Sequence, residues 1–275
     1  MDFIRLTLNA LGLRAALENQ QLLKQLTRRR ISQQHKNTWL GKVWVVINPL
    51  AMLALYVFVF GYIFGGKFRE TESDSPATYA FGVFLGLTII HFVTEVLAFA
   101  PRSMADNEGL VKRTKIPLEL IPTSITIAAA FHFSIGFLLC VLGLLAIGHP
   151  VGVQALWAIP VCLCLAVIAQ GVSYLMAVLG TFVKDVSQIV PVLSLGILFS
   201  SAVFYPVEKI PAQAWAFLKF NPILHVVDTM RETVLWGHPP RLGFSLLALP
   251  IASLAIYFGS YFLFKSVQSK LADHI

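Results

Sequence analysis

Ala155-Leu-Trp-Ala-Ile-Pro-Val-Cys-Leu-Cys-Leu-Ala-Val-Ile-Ala-Gln-Gly-Val-Ser-Tyr-Leu-Met-Ala-Val-Leu-Gly-Thr-Phe182, followed by Val183-Lys-Asp185 and then Val186-Ser-Gln-Ile-Val-Pro-Val-Leu-Ser-Leu-Gly-Ile-Leu-Phe-Ser-Ser-Ala-Val-Phe204, is the stretch whose reading decides the fold. A hydrocarbon layer about 30 Å thick takes roughly 20 helical residues to cross, so the merged run is too long for one crossing. Lys184 and Asp185 therefore mark a turn at a membrane surface, with one span on each side. Neither run alternates apolar with polar residues, which favours helices over barrel strands; a helix also satisfies its own backbone without water. Without the turn there would be five crossings, and the two termini would lie on opposite sides.

Outward from that turn the same pattern repeats. Apolar stretches long enough to cross occur at 43–64, 79–100, 121–147, 155–182, 186–204 and 244–264, so the chain reads as an all-α membrane protein with six spans. Composition agrees: 57% of the 275 residues are apolar and 13% charged, with a mean hydropathy of +0.74. With both termini inside, fifteen Lys and Arg fall on inner segments and six on outer ones, which predicts a multi-pass membrane protein with both termini cytoplasmic. This bias and anionic lipid account for the basic balance, leaving no support for nucleic-acid binding.

Three polar segments stand out. Residues 1–42 are largely polar and basic, leaving no place for a cleavable signal peptide, so the first span serves as its own insertion signal. Within them Leu11, Ala15, Leu22 and Leu26 fall on one narrow arc with Lys24, Arg28 and Arg29 mostly elsewhere, the pattern of an amphipathic helix along the inner membrane surface. Residues 101–120, with Arg102, Asp106, Asn107, Glu108, Lys112, Arg113, Lys115 and Glu119, read as a short cytoplasmic helix suited to a soluble partner. Residues 205–243 are too long for a tight turn and too apolar for a solvated loop. Helices over Ile210–Phe220 and Pro222–Trp236 would measure roughly 16 and 22 Å, short of a crossing. A half-inserted hairpin turning at Asn221-Pro222 fits those lengths, as does a pair of helices lying flat on the outer surface.

Chemistry is sparse. Gly61-Tyr-Ile-Phe-Gly-Gly66-Lys67 imitates a phosphate loop, but Phe68 stands where the Mg²⁺-binding hydroxyl belongs and the run ends a span. Any ATP and Mg²⁺ are thus expected on a separate polypeptide, and no cofactor on this one. The seven histidines do not cluster at metal-ligand spacing, and no nucleophile motif appears, so neither a metal site nor catalysis is expected. Cys140, Cys162 and Cys164 read as buried apolar residues. Glu95 is the clearest ionisable group inside a span; it is either functional or stabilised by snorkelling or by pairing with Arg102, two turns on. A path for sugars would be rich in aromatic faces. Tyr56 and Phe60 form one stripe with Phe64, and Phe58 and Tyr62 another, with Phe204, Tyr205 and Trp215 near the hairpin. Gly82-x-x-x-Gly86 permits close helix approach.

Four stretches, in order along essentially the whole chain, carry a resemblance: Leu40-Gly41-Lys-Val-Trp44 with Asn48-Pro49-Leu50; Asn107-Glu-Gly-Leu-Val-Lys-Arg-Thr-Lys-Ile-Pro117; Ser201-Ala-Val-Phe-Tyr-Pro206 with Ile210-Pro211; and Asn221-Pro222 followed by His225 and Arg231-Glu232. The chain resembles the permease subunits of type-2 ABC exporters of the O-antigen, capsule and teichoic-acid group, with Ile116 where the family commonly has an aromatic. The resemblance implies an N-terminal interface helix, a coupling helix after the second span and re-entrant helices before the sixth. It further implies a homodimer docked on two ATP-hydrolysing subunits and a lipid-linked glycan as substrate. It would assign Arg28, Arg29 and Arg30, and Asn107, Glu108, Lys112, Arg113 and Lys115, to contact with the ATPase. Tyr56, Phe60, Tyr62, Glu95, Phe204, Tyr205, Trp215 and Arg231 are the candidates for the substrate path. An exporter of a small lipid or drug, or an integral-membrane enzyme acting on lipid or glycan, are the alternatives.

Overall fold

The computed structural model describes residues 13–34, 39, 41–64, 68, 75–113, 116–240 and 244–274, apart from the side chains at 13, 14, 34, 42, 113, 244–246 and 272–274. Among the described residues every regular element is helical: α1 (Leu13–Glu18), α2 (Gln20–Gln34), α3 (Trp44–Tyr56) running on as a π-helix over Val57–Ile63, α4 (Pro76–Phe99), α5 (Glu108–Arg113), α6 (Leu120–Ala146), α7 (Ala158–Phe182), α8 (Val186–Ser200), α9 (Ala212–Leu218), α10 (Pro222–Val234) and α11 (Phe244–His274). Five segments among the described residues are long and apolar enough to cross a membrane: Trp44–Ile63, Pro76–Phe99, Leu120–Ala146, Val153–Phe182 and Leu247–Leu271. The expected span at 186–204 is shorter than the sequence suggests. Its helix stops at Ser200, and Ala202 turns the backbone to φ 52°.

Local chemistry sets the boundaries. Ser75 caps α4 by accepting a hydrogen bond from the Thr78 backbone N–H at 3.1 Å, with Pro76 in the first turn. Asn221 caps α10 in the same manner, accepting from the Ile223 and Leu224 N–H groups ahead of Pro222. Between α7 and α8 the helix is interrupted at Val183, which is extended. The helices after α8 are shorter than their apolar patterns imply, ending at Leu218 and Val234. In contrast α11 continues past residue 264, because Phe264 and Leu271 bury themselves on the bundle.

α4 is the hub of the packing and contacts α3 and its π-helical continuation, α6, α7, α8 and α10. Most of its side chains are buried, from Thr78 to Leu97, whereas α3 buries only Leu53 and α8 only Val190. α11 lies along α7. Gly171 permits that approach, since a Cβ there would sit 3.0 Å from the Tyr257 backbone. A second, smaller core joins Met104, Val111 and Leu118 of the α4–α6 connection to Tyr174, Tyr257 and Phe264. That connection is therefore welded to the ends of α7 and α11 and does not hang free.

Candidate functional site

The structure draws the predicted residues into two regions at opposite ends of the bundle. At the end carrying α2 and residues 101–119, Arg28 and Arg29 are exposed while Arg30 turns inward. The Arg30 guanidinium stacks 3.6 Å from the centroid of Phe99, a cation–π contact. Burial holds the Arg30 guanidinium below its ordinary pKa, and Glu95 and Asp106 push it back up. Arg29, Arg30 and Gln33 from α2 meet Ser103, Asp106 and Asn107 around a polar cavity of about 280 Å³. α2 and the connection thus line one pocket, and α2 is packed on α6 beside it.

The connection itself is held from both sides. Asn107 Nδ2 donates to the Ser103 carbonyl at 2.9 Å, and Lys112 pairs with Glu108 at 2.8 Å along the exposed face of α5. Arg113 closes α5, with its side chain outside the described residues, as is all of Lys115. On the bundle side a Cβ at Gly180 would lie 2.2 Å from the Pro101 carbonyl oxygen, so α7 and the start of the connection touch backbone to backbone. Lys265 of α11 donates to Glu119 at 2.8 Å, tying the far end of the connection to α11.

Glu95 does not pair with Arg102. Its carboxylate meets His132 Nδ1 of α6 at 2.9 and 3.1 Å, while Arg102 donates to Ser187 Oγ at the start of α8. The physical reason is reach. His132 lies across the α4–α6 interface and buries the carboxylate, whereas Arg102 points away over the turn after α4. His91 is exposed and takes no part.

At the opposite end, the irregular backbone after α8 is satisfied by side chains. Tyr205 donates to the Phe199 carbonyl, Asn221 Nδ2 to the carbonyl and hydroxyl of Ser200 and to the Ser201 hydroxyl, and Tyr79 to the Phe204 carbonyl at 3.0 Å. Arg231 supplies the centre: Nε donates to Gly82 at 3.1 Å, Nη1 to Ala202 at 2.7 Å, and Nη2 to Val203. Its guanidinium also sits 4.3 Å over the ring of Phe68 and is 2% exposed. Arg231, a path candidate on sequence, clamps α10 to α4 and to the end of α8. Gly82 and Gly86 make room, since a Cβ would meet Phe68 at 2.6 Å and Arg231 at 3.1 Å respectively.

The aromatic candidates divide in the same way. Phe60 stacks on Phe204 at 5.6 Å, leans on Tyr56 at 6.1 Å and meets Tyr79 edge-on, so these rings belong to the packing around the clamp. Tyr62 is 83% exposed and stacks only along its own helix, on Phe58. Trp215 of α9 meets His225 edge-on, and Tyr205 is committed to the end of α8. Sequence reasoning missed His132, Tyr79 and Phe68 as partners. An intramembrane histidine facing an intramembrane glutamate was a usable signal for the first; nothing local marked the others.

The sequence model of the family described as ABC-2 type transporter matches residues 21–235, from within α2 to the end of α10. The chain belongs to that family. Among curated proteins it is similar to the polysialic acid transport protein KpsM of Escherichia coli, 24% identical over 240 residues that cover 84% of this chain and 88% of KpsM. It is similar also to the O-antigen export system permease protein RfbA of Myxococcus xanthus, 22% identical over 257 residues covering 92% and 95%. The RfbA protein of Klebsiella pneumoniae is 23% identical over 245 residues, covering 86% and 90%. The matched region takes in both ends of the bundle just described, the α2 pocket and the Arg231 clamp.

Proposed function

We propose that this ABC-2 chain is the membrane-spanning half of an ATP-driven exporter that carries a lipid-linked polysaccharide out of a bacterial cytoplasm. The observation that carries the reading is end-to-end similarity to permeases whose names specify polysialic acid transport and O-antigen export. In this reading α8 and the residues to 204 complete one of six spans, both termini are cytoplasmic, and 205–243 is a re-entrant hairpin held by Arg231. Two copies face one another through the sparsely buried α3 and α8, with Tyr62 among the rings toward the path. Two ATPase subunits carrying ATP and Mg²⁺ dock against Arg29, Asn107, Glu108, Lys112, Arg113 and Lys115. Arg30 braces that face from behind, and Arg28 lines a different groove.

The support for coupling is mechanical. A push on α5 passes through Met104, Val111 and Leu118 into α7 and α11, and through the α2 pocket into α6. ATP can shift the permease only by contacts that differ between two states, and this welded connection is where such a difference enters. The test is purification of the chain with its ATPase and reconstitution into vesicles. Expected are an equimolar complex and ATP hydrolysis stimulated by lipid-linked polysaccharide. Stimulation by a small lipid or drug but not by the glycan would overturn the substrate class, and a chain that binds no ATPase would overturn the exporter.

A further inference from the structure

On the side of α2 facing away from the polar pocket lies a larger groove of about 660 Å³, bounded by α2, α3 and α6. Its walls are apolar, formed by Val45 and Val46 at the start of the first span and Ile127, Phe131 and Ile135 of α6. Its mouth is basic: Lys24 and Arg28 lie one helical turn apart on α2, and among the described residues neither forms an ion pair. Two like charges at that spacing repel one another, and an anion between them would reverse the sign of the interaction. Thr27 stands between them on the groove lining; it is 9% exposed, and its Oγ1 is buried without a hydrogen-bond partner. That oxygen is closed off within the protein, so recognition of an anion falls to Lys24 and Arg28. A basic mouth over an apolar cleft, at the level where the chain enters the bilayer, matches a ligand with an anionic head and a hydrocarbon tail.

We infer that this groove holds an anionic membrane phospholipid, its phosphate between Lys24 and Arg28 and one acyl chain along Val46, Ile127 and Ile135, bracing α2 against α6. A soluble anion would leave the apolar wall uncovered, and an uncharged lipid would leave the two cations facing each other. The assignment rests on the reading that α2 lies at the inner membrane surface. It makes the position of α2, and with it the docking face beside it, dependent on the lipid.

The experiment is native mass spectrometry of the full-length chain in complex with its ATPase, taken from nanodiscs of phosphatidylcholine mixed with phosphatidylglycerol. Phosphatidylglycerol should survive mild delipidation at least about tenfold better than phosphatidylcholine, a ratio matching roughly 1.4 kcal/mol. Lys24→Gln with Arg28→Gln should erase the preference, and Ile135→Trp, which fills the cleft without touching the charges, should lower retention of both lipids. Equal retention of the two lipids by the wild-type complex, or a preference untouched by Lys24→Gln with Arg28→Gln, would overturn the proposal. Retention of a glycan-bearing lipid in place of phosphatidylglycerol would overturn it too and give the groove to the substrate. Lipid retention is read without any transport, so a failure of the exporter reading shows separately, as absent glycan-stimulated ATP hydrolysis in the same complex.

Discussion

Replacing Arg231 with Met keeps the length of the side chain and removes its donors. Three charge-assisted hydrogen bonds disappear, to Gly82, Ala202 and Val203; the Ala202 and Val203 carbonyls lie past the end of α8, where no helix partner reaches them, while that of Gly82 lies within α4. At about 1.5–3 kcal/mol each the gross loss is roughly 5–9 kcal/mol. Relief from burying a guanidinium, whose opposing charge is Asp228 on the same helix, offsets part of it. The net cost is about 3–5 kcal/mol, the range for breaking a buried charged group out of its network. For a chain of this size that corresponds to a drop in melting temperature on the order of 10 °C, read in detergent by size-exclusion recovery after heating. Arg231→Lys should fall between, because one ammonium cannot fork across three acceptors. If Arg231→Met melts with the wild type while export stops, the clamp is wrong and Arg231 belongs to the path, as it stood on sequence alone.

Other perturbations test the opposite end and the links between. Lys112→Glu with Arg113→Glu should leave membrane insertion intact while ATP hydrolysis no longer drives export; unchanged export in reconstituted vesicles would remove α5 from the coupling. Glu95→Leu removes the carboxylate that meets His132 Nδ1 and acts on Arg30, and should destabilise the bundle by about 1–3 kcal/mol; Glu95→Leu with His132→Leu should recover most of that in a double-mutant cycle. Gly180→Ala forces the backbone of Pro101 away from α7, since the new Cβ would stand 2.2–2.5 Å from it. It should disturb docking of the ATPase more than a typical surface change, whose effect lies within about 0.5 kcal/mol; docking at wild-type strength would show that the connection is not held there.

The parts of the fold legible in the sequence are those that depend on short-range pattern. An apolar run the length of a bilayer announces a helix, Ser75-Pro76 and Asn221-Pro222 announce where helices begin, and Lys184-Asp185 announce a break. What stayed hidden depends on partners distant along the chain. Glu95 had two chemically reasonable partners, Arg102 on its own face and His132 on the next helix, and only the packing of α4 on α6 chooses. The clamp made by Arg231 was not legible because its three acceptors are backbone carbonyls, which carry no residue signature. Arg30 could not be separated from Arg28 and Arg29, since three consecutive arginines look alike until Phe99 takes one of them. The two aromatic stripes read from helical spacing are both present, Tyr56, Phe60 and Phe64 in one and Phe58 with Tyr62 in the other, but which stripe meets Tyr79 and Phe204 and which stays exposed depends on packing against α4 and the end of α8.

The number of crossings turns on α8, and the structure suggests how a short helix can still complete one. Fifteen residues rise roughly 22 Å, against a hydrocarbon core of about 30 Å. A bare chain after Ser200 would expose carbonyls to lipid at several kcal/mol each. Here Asn221, Arg231, Tyr79 and Tyr205 cover the carbonyls of Ser200, Ala202, Val203, Phe204 and Phe199, so non-helical backbone can carry the chain through the remaining thickness against protein. Two single cysteines, Lys184→Cys and Glu208→Cys, in a chain whose native cysteines are alanine, test this in intact cells with an impermeant maleimide. Glu208→Cys should label from outside, and Lys184→Cys only after the membrane is opened. If both label from the same side, α8 is a surface helix, the crossings are five, and the side-chain scaffold around Arg231 serves a different end from the one argued here.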